Sequence, residues 1–210
     1  MKDWNVVVSV FQDGFTRALR ALQKLGQAER SPYHNVLVMK IEDPIALFEA
    51  IEKRTEENPV LYDATSRVAP ATRDIDFLSE EEFVERAKSI MYEWSPNLAG
   101  RSFHVRLHRR GTKHDLRTQE TERLFNDAIV DATTKAGMPG KISFTDPDVV
   151  IAIDTIDNRA GLAMCTREEL ARYSRDAAGL IAGSPAFNAS HAAQCARDRV
   201  FLPRSKCGRF

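Results

Sequence analysis

The chain is poor in cysteine, and the three it has show no pairing pattern. Cys165, Cys195 and Cys207 are odd in number and lack the C-x-x-C spacing of a tetrahedral zinc site. Neither a disulfide framework nor a structural zinc is implied, and the thiols read as reduced. Long apolar runs are also missing: none approaches the roughly 20 residues that a membrane span needs. The opening Trp4-Asn5-Val6-Val7-Val8 carries no signal-peptide cleavage pattern, so the expected compartment is the cytoplasm. Net charge is absent as well, with 30 Lys and Arg against 30 Asp and Glu. That balance says nothing about where the charges sit. What is present is 43% hydrophobic residues in 210, enough for one large or two small packed domains and too well mixed for disorder.

Periodicity divides the chain. Trp4 to Phe11 reads as a buried strand, and after Gly14 the residues Phe15, Ala18, Leu19, Leu22 and Leu25 share one helical face that ends at Gly26. Asn35 to Ile41 reads as a second strand. Asp43-Pro44 then offers an N-cap followed by proline at the first helical position, with Ile45, Phe48 and Ile51 on one face. Val60 to Val68 supplies a third extended segment before Pro70, so residues 1 to 70 form a small α/β domain. Ser79-Glu80-Glu81-Glu82 reads as a capping box for a helix carrying Phe83, Ala87, Ile90, Met91 and Trp94. Thr118 is read as the cap of a further helix through Leu124, Phe125, Ala128, Ile129 and Ala132, which stops at Gly137. Strands are expected at Lys141 to Phe144, Val149 to Ile153 and Leu162 to Cys165, with turns at Asp146-Pro147-Asp148 and Asp157-Asn158. Thr166-Arg167-Glu168-Glu169 is another capping box. Residues 179–210 read as a helix or basic tail.

The neutral total conceals two opposed segments. From Asp74 to Glu93 seven acids meet Arg86 and Lys88, whereas from Arg101 to Arg117 six bases meet only Asp115. In Phe103-His104-Val105-Arg106-Leu107-His108 the side chains alternate. A strand there sends Phe103, Val105 and Leu107 to a core and His104, Arg106 and His108 to the other face. Arg109-Arg110-Gly111 comes next at the strand end, where guanidinium groups and nearby backbone N–H groups suit phosphate oxygens. The alternative is a solvated edge strand, charged against aggregation, whose arginines pair with the acidic helix before it. His104, His108 and His114 do not make a metal site, because only the first two share a strand face and no acid or cysteine joins them. Asp146 and Asp148 flank Pro147 as turn formers rather than as a catalytic pair. Phe83 and Trp94 belong to an apolar stripe.

Residues from about Arg67 to Tyr173 resemble the THUMP domain family, the RNA-binding module of several tRNA-modification systems. Arg67-Val68-Ala69-Pro70 is similar to the entry motif. Gly100-Arg101-Ser102-Phe103-His104-Val105-Arg106-Leu107-His108-Arg109-Arg110-Gly111 is similar to the G-x-x-F-x-V-R-x-x-R-R-G core. The Thr118 helix and the Asp146-Pro147-Asp148 turn before the Val149 strand resemble the family's next helix and its P-D turn. The opening Trp4-Asn5-Val6-Val7-Val8 is similar to the small ferredoxin-like domain that commonly precedes this module. The resemblance implies an α/β chain: a small N-terminal ferredoxin-like α/β domain at 1–70, packed against an α/β THUMP domain at 71–178.

It also implies tRNA as partner, held largely through the acceptor stem and its 3′ end, since A-form duplex is read by shape, phosphate and 2′-OH. The implied phosphate contacts are Arg106, Arg109, Arg110 and Lys113, supported by Arg67, Arg101, His108 and Lys141. No S-G-G-x-D-S loop, G-x-G-rich turn, Walker loop or H-E-x-x-H helix occurs, so neither a cofactor nor a catalytic site is expected. Gly161 to Cys165, with Leu170-Ala171-Arg172-Tyr173 after it, resembles the adaptor branch of the family, which presents tRNA to a separate enzyme making N4-acetylcytidine. Ser174 departs from the asparagine usual in that branch. Two other readings stay open: the RNA-binding part of a split tRNA thiolation or methylation system, and a small enzyme with its site in the C-terminal segment.

Overall fold

The computed structural model describes residues 1–47, 49–51, 63–111 and 117–169. The expected features at Phe48, Val60, Lys113, His114, Leu170 to Tyr173, Cys195, Cys207 and 179–210 lie outside the described residues.

Two sheets organise the molecule. The first contains β1 (Val6–Val10), β2 (Gln27–Arg30), β3 (Val36–Lys40) and β4 (Thr65–Pro70), in the order β2-β3-β1-β4 with every pairing antiparallel. Helix α1 (Phe15–Leu22) joins β1 to β2, and residues 46–47 and 49–51 are helical after β3. This β-α-β-β-α-β order is the ferredoxin-like arrangement. The Asp43 carboxylate accepts from the backbone N–H of Ile45 and Ala46 and so caps those helical residues. Val6, Val8 and Val10 point with Leu37, Met39 and Val68 toward Ala18, Leu22, Leu47 and Ile51. Val7, Val36, Val38 and Ala69 face the opposite way, with Trp4 and Ile156. The patterning of 27–30 does not reveal β2, because this edge strand buries only Ala28.

The second sheet has the order β5-β9-β8-β6-β7, from β5 (Arg73–Asp76), β6 (Ser102–His108), β7 (Lys141–Ile142), β8 (Val149–Ile156) and β9 (Arg159–Thr166). β6 runs parallel to both β7 and β8, and β8-β9 is a hairpin turning at Asp157, whose φ is 52°. The patterning hides β5 too: Asp74 and Asp76 read as part of an acidic helical region, yet they stand on a strand where Arg159 pairs with both.

Helices α2 (Glu80–Leu98) and α3 (Thr118–Lys135) cover one face of this sheet. Their Phe83, Met91, Phe125 and Ile129 bury against Phe103, Val105, Leu107, Ile151 and Ile153, and the Phe83 and Phe125 rings meet edge to face at 5.8 Å. Ser79 caps α2 by accepting from the Glu82 N–H, while the Glu82 carboxylate reaches one residue further back than a capping box requires, to Leu78 N–H. The cap of α3 is Arg117 rather than Thr118. Its N–H donates to Glu120, and Thr118 is already the first helical residue. Gly137, at φ 80°, ends the helix as its sequence suggests. Among the described residues no helix is long and apolar enough to cross a membrane.

Candidate nucleic-acid interface

Alternation along β6 divides its side chains as the sequence implies. Phe103, Val105 and Leu107 are buried beneath α2 and α3, and His104, Arg106 and His108 occupy the opposite face. The register continues that face across β8 through Val150, Ala152 and Asp154, and across β9 through Cys165, Ala163 and Gly161. Ala163 and Cys165 are covered by the core of the first sheet, and burial pushes the Cys165 thiol up to about 12, leaving it inert. The helix-free face is thus closed at β9 and opens toward β6 and β7.

At the closed end lies a buried ionic junction. Arg67 of β4 donates from Nη1 and Nη2 to the two Asp154 oxygens at 2.6 and 2.7 Å, a bidentate pair with side-chain exposures of 7% and 4%. Arg110 adds a third contact to Asp154 at 2.9 Å, and its Nη2 donates to Ser9 Oγ of β1 at 3.0 Å. Burial would raise the Asp154 carboxyl, but Arg67, with His108 and Arg110, holds it below the ordinary carboxylate range. Next to it, His108 is pushed down to about 4 by burial and then by Arg67 and Arg110. The expected cationic row is therefore interrupted: His108 is neutral at pH 7, because burial disfavours the charged ring and the neighbouring Arg67 and Arg110 oppose a second charge.

Arg109 points elsewhere. Its Nη2 donates to Glu80 at 2.5 Å and to Thr121 Oγ1 at 2.6 Å, and its guanidinium carbon stands 5.7 Å from the Phe83 ring centre. For this residue the acidic-helix alternative holds, since Glu80 begins that helix. Gly111 completes the turn at φ 129°, where a Cβ would lie 2.8 Å from Asp157 Cα. The glycine lets this loop close on the β8-β9 turn. There Tyr33 donates to the Asp157 carboxylate, which raises the phenol to about 12.

Arg101 is half-buried, with one long contact of 3.4 Å to the Asp148 carbonyl. Lys141 is exposed on β7, in register with Ser102. Arg106 is half-buried and makes no hydrogen bond or ion pair among the described residues. The open edge of β6 is sealed by α3: Asn126 accepts from Val105 N–H and Glu122 from Leu107 N–H. Anion recognition on β6 thus falls to side chains, not to strand N–H groups. Sequence reasoning does not find Asp154, Ser9 or Thr121. Asp154 ends an apolar run, and its one signal is an acid in register with a histidine across the sheet.

Residues 78–164 match the THUMP domain family. The match spans less than half of the chain, contains β6, α3, β8 and most of β9, and supports the THUMP resemblance. Two solved structures share the fold. One is PH1313 from Pyrococcus horikoshii, at 14% identity and a TM-score of 0.50, covering 76% of this chain and 53% of that one. The other is a 4-thiouridine synthetase solved with RNA and bound ATP, at 13% identity and a TM-score of 0.50, covering 77% of this chain and 41% of that one. The chain spans about half or less of these proteins. No curated protein matches it at the sequence level.

The buried junction predicts two outcomes for the THUMP region. Replacing Asp154 by Asn leaves two buried guanidinium groups without their carboxylate and costs about 3–5 kcal/mol, measured by urea denaturation. A destabilisation under about 1 kcal/mol, the range of an exposed ion pair, removes the junction from its structural role. His108 stays neutral in the fold while the unfolded chain takes up its proton below the ordinary 6.5. Its contribution is thus complete above pH 6.5 and lost as pH falls toward about 4. Stability measured across that window should decline less steeply in His108→Asn; identical profiles would contradict the assignment.

Proposed function

We propose that this chain is a non-catalytic tRNA-binding adaptor that presents tRNA to a separate modification enzyme, and that this enzyme is a cytidine N4-acetyltransferase. The observation that carries the RNA reading is Arg106, a guanidinium without a partner among the described residues, at the centre of the strand that the THUMP match brackets. Arg109 and Arg110 are tied to Glu80, Thr121, Asp154 and Ser9 inside the fold, but Arg106 and the exposed Lys141 remain available for phosphate. Arg101 supports them from the residue before β6. In the role proposed here, Arg67, Arg109 and Arg110 shape the surface, and His108 offers a neutral ring rather than a charge.

THUMP domains serve tRNA-modification systems, and one of the fold relatives was solved as a 4-thiouridine synthetase bound to RNA. A split thiolation or methylation system is therefore the second reading. The adaptor reading draws on the similarity of Gly161 to Cys165, and of Leu170-Ala171-Arg172-Tyr173 after it, to the acetyltransferase adaptor.

Arg106→Ala combined with Lys141→Ala should weaken tRNA binding and lower the slope of log affinity against log salt by about 1 for each phosphate no longer neutralised. The thermal transition should not move. Unchanged affinity and slope would remove this surface as the RNA site. In cells lacking the protein, tRNA should lose N4-acetylcytidine. Normal acetylcytidine with depleted 4-thiouridine or methylated bases would transfer the proposal to the second reading.

A further inference from the structure

Beyond the phosphate-binding side chains, the same face carries an aromatic group that the core does not use. Phe144 lies just after β7 and is 65% exposed. Among the described residues the only other large exposed aromatic is Tyr92, at 51%, which lies on α2 beside Glu93. Phe144 sits in the opposite electrostatic setting, and it is anchored. Ser143 N–H donates to the Phe103 carbonyl at 2.9 Å, and the Ser143 carbonyl lies 2.8 Å from His104 Nδ1. The loop is thereby tied to β6 one residue before the ring.

His104 is only 6% exposed, and its ring centre lies 5.5 Å from that of Phe144 with 33° between the planes. The exposed ring is thus backed by a fixed one. Cations flank the pair along the strand. Lys141 is in register with Ser102, two residues before His104, and Arg106 is two residues after it. Same-face neighbours on a strand are about 7 Å apart. The acids around the pair are engaged: Glu122, which acts on His104, accepts from Leu107 N–H, Asp148 accepts from Ser102 Oγ at 2.6 Å, and Arg167 pairs with both Asp146 and Asp148.

We propose that Phe144, backed by His104 and flanked by Lys141 and Arg106, is a stacking platform for an unpaired nucleobase of the bound RNA. This rests on the RNA reading of the β6-β7 face and deepens it. In a duplex the base faces are occupied by their neighbours, so a backbone-reading surface gains nothing from an exposed ring. An unpaired base offers a free π-face to such a ring, with its phosphates directed to the cations on either side. The platform accepts any base, since stacking needs no hydrogen-bond pattern.

The test uses three RNAs: a short duplex ending in a few unpaired nucleotides, its blunt counterpart, and the overhang duplex with abasic sites in place of the unpaired bases. The protein should bind the first about tenfold or more tightly than the other two. Phe144→Ala should abolish that preference while leaving blunt-duplex affinity and salt slope unchanged, and Phe144→Trp should retain it. Equal binding of overhang and abasic RNA, or a preference that survives Phe144→Ala, overturns the platform and leaves the phosphate surface standing. Failure of the parent protein to bind any of the three overturns the RNA reading, and the platform with it.

Discussion

One buried carboxylate sets the geometry of this molecule. Asp154 stands near the end of β8 and is shared by two guanidinium groups that arrive from different parts of the chain, Arg67 from the first sheet and Arg110 from the loop after β6. Neither arginine is tolerable at this depth without it, and the carboxylate is tolerable only because both are there. The contact fixes the first sheet against the second, draws the loop after β6 inward, and places two guanidinium groups beside His108, where they add to burial in keeping the ring neutral. The opposite end of the same face is left to Arg106 and Lys141.

A second constraint is that β6 serves two environments at once. Its odd-numbered side chains form the floor of the α2-α3 core, its even-numbered ones lie on the opposite face, from which Arg106 reaches the surface, and its free edge is closed by Asn126 and Glu122 of α3. The strand can therefore present cations without presenting an edge for pairing. Arg109 at its end ties the first turn of α2 to Thr121 of α3. The run of arginines thus divides into those that build the surface and those that use it.

That division is where sequence reasoning stops. The alternation of 103 to 108, the cap at Ser79, the stop at Gly137 and the hairpin at Asp157 are legible, since each rests on local chemistry. The edge strands β2 and β5 are not, because an edge in water needs few apolar residues and the partner strand supplies the rest. Thr118 imitates a cap because a hydroxyl before a helical run is the usual signal, whereas here Arg117 adopts the cap conformation and Glu120 provides the acceptor. Within the candidate site, charge counting treats six bases as equivalent. Arg109 and Arg110 are adjacent, yet they pair with acids in different layers of the structure, and only the distant partners Glu80 and Asp154 distinguish them from Arg106.

Hydrogen–deuterium exchange of the full chain with and without tRNA tests the central claim most directly. With tRNA bound, exchange should slow in the segment between α3 and β8, 138–148, and stay unchanged along the outer faces of α2 and α3. Protection confined to those two helices, with 138–148 exchanging as in the free protein, would contradict the assignment of the β6-β7 face as the RNA surface.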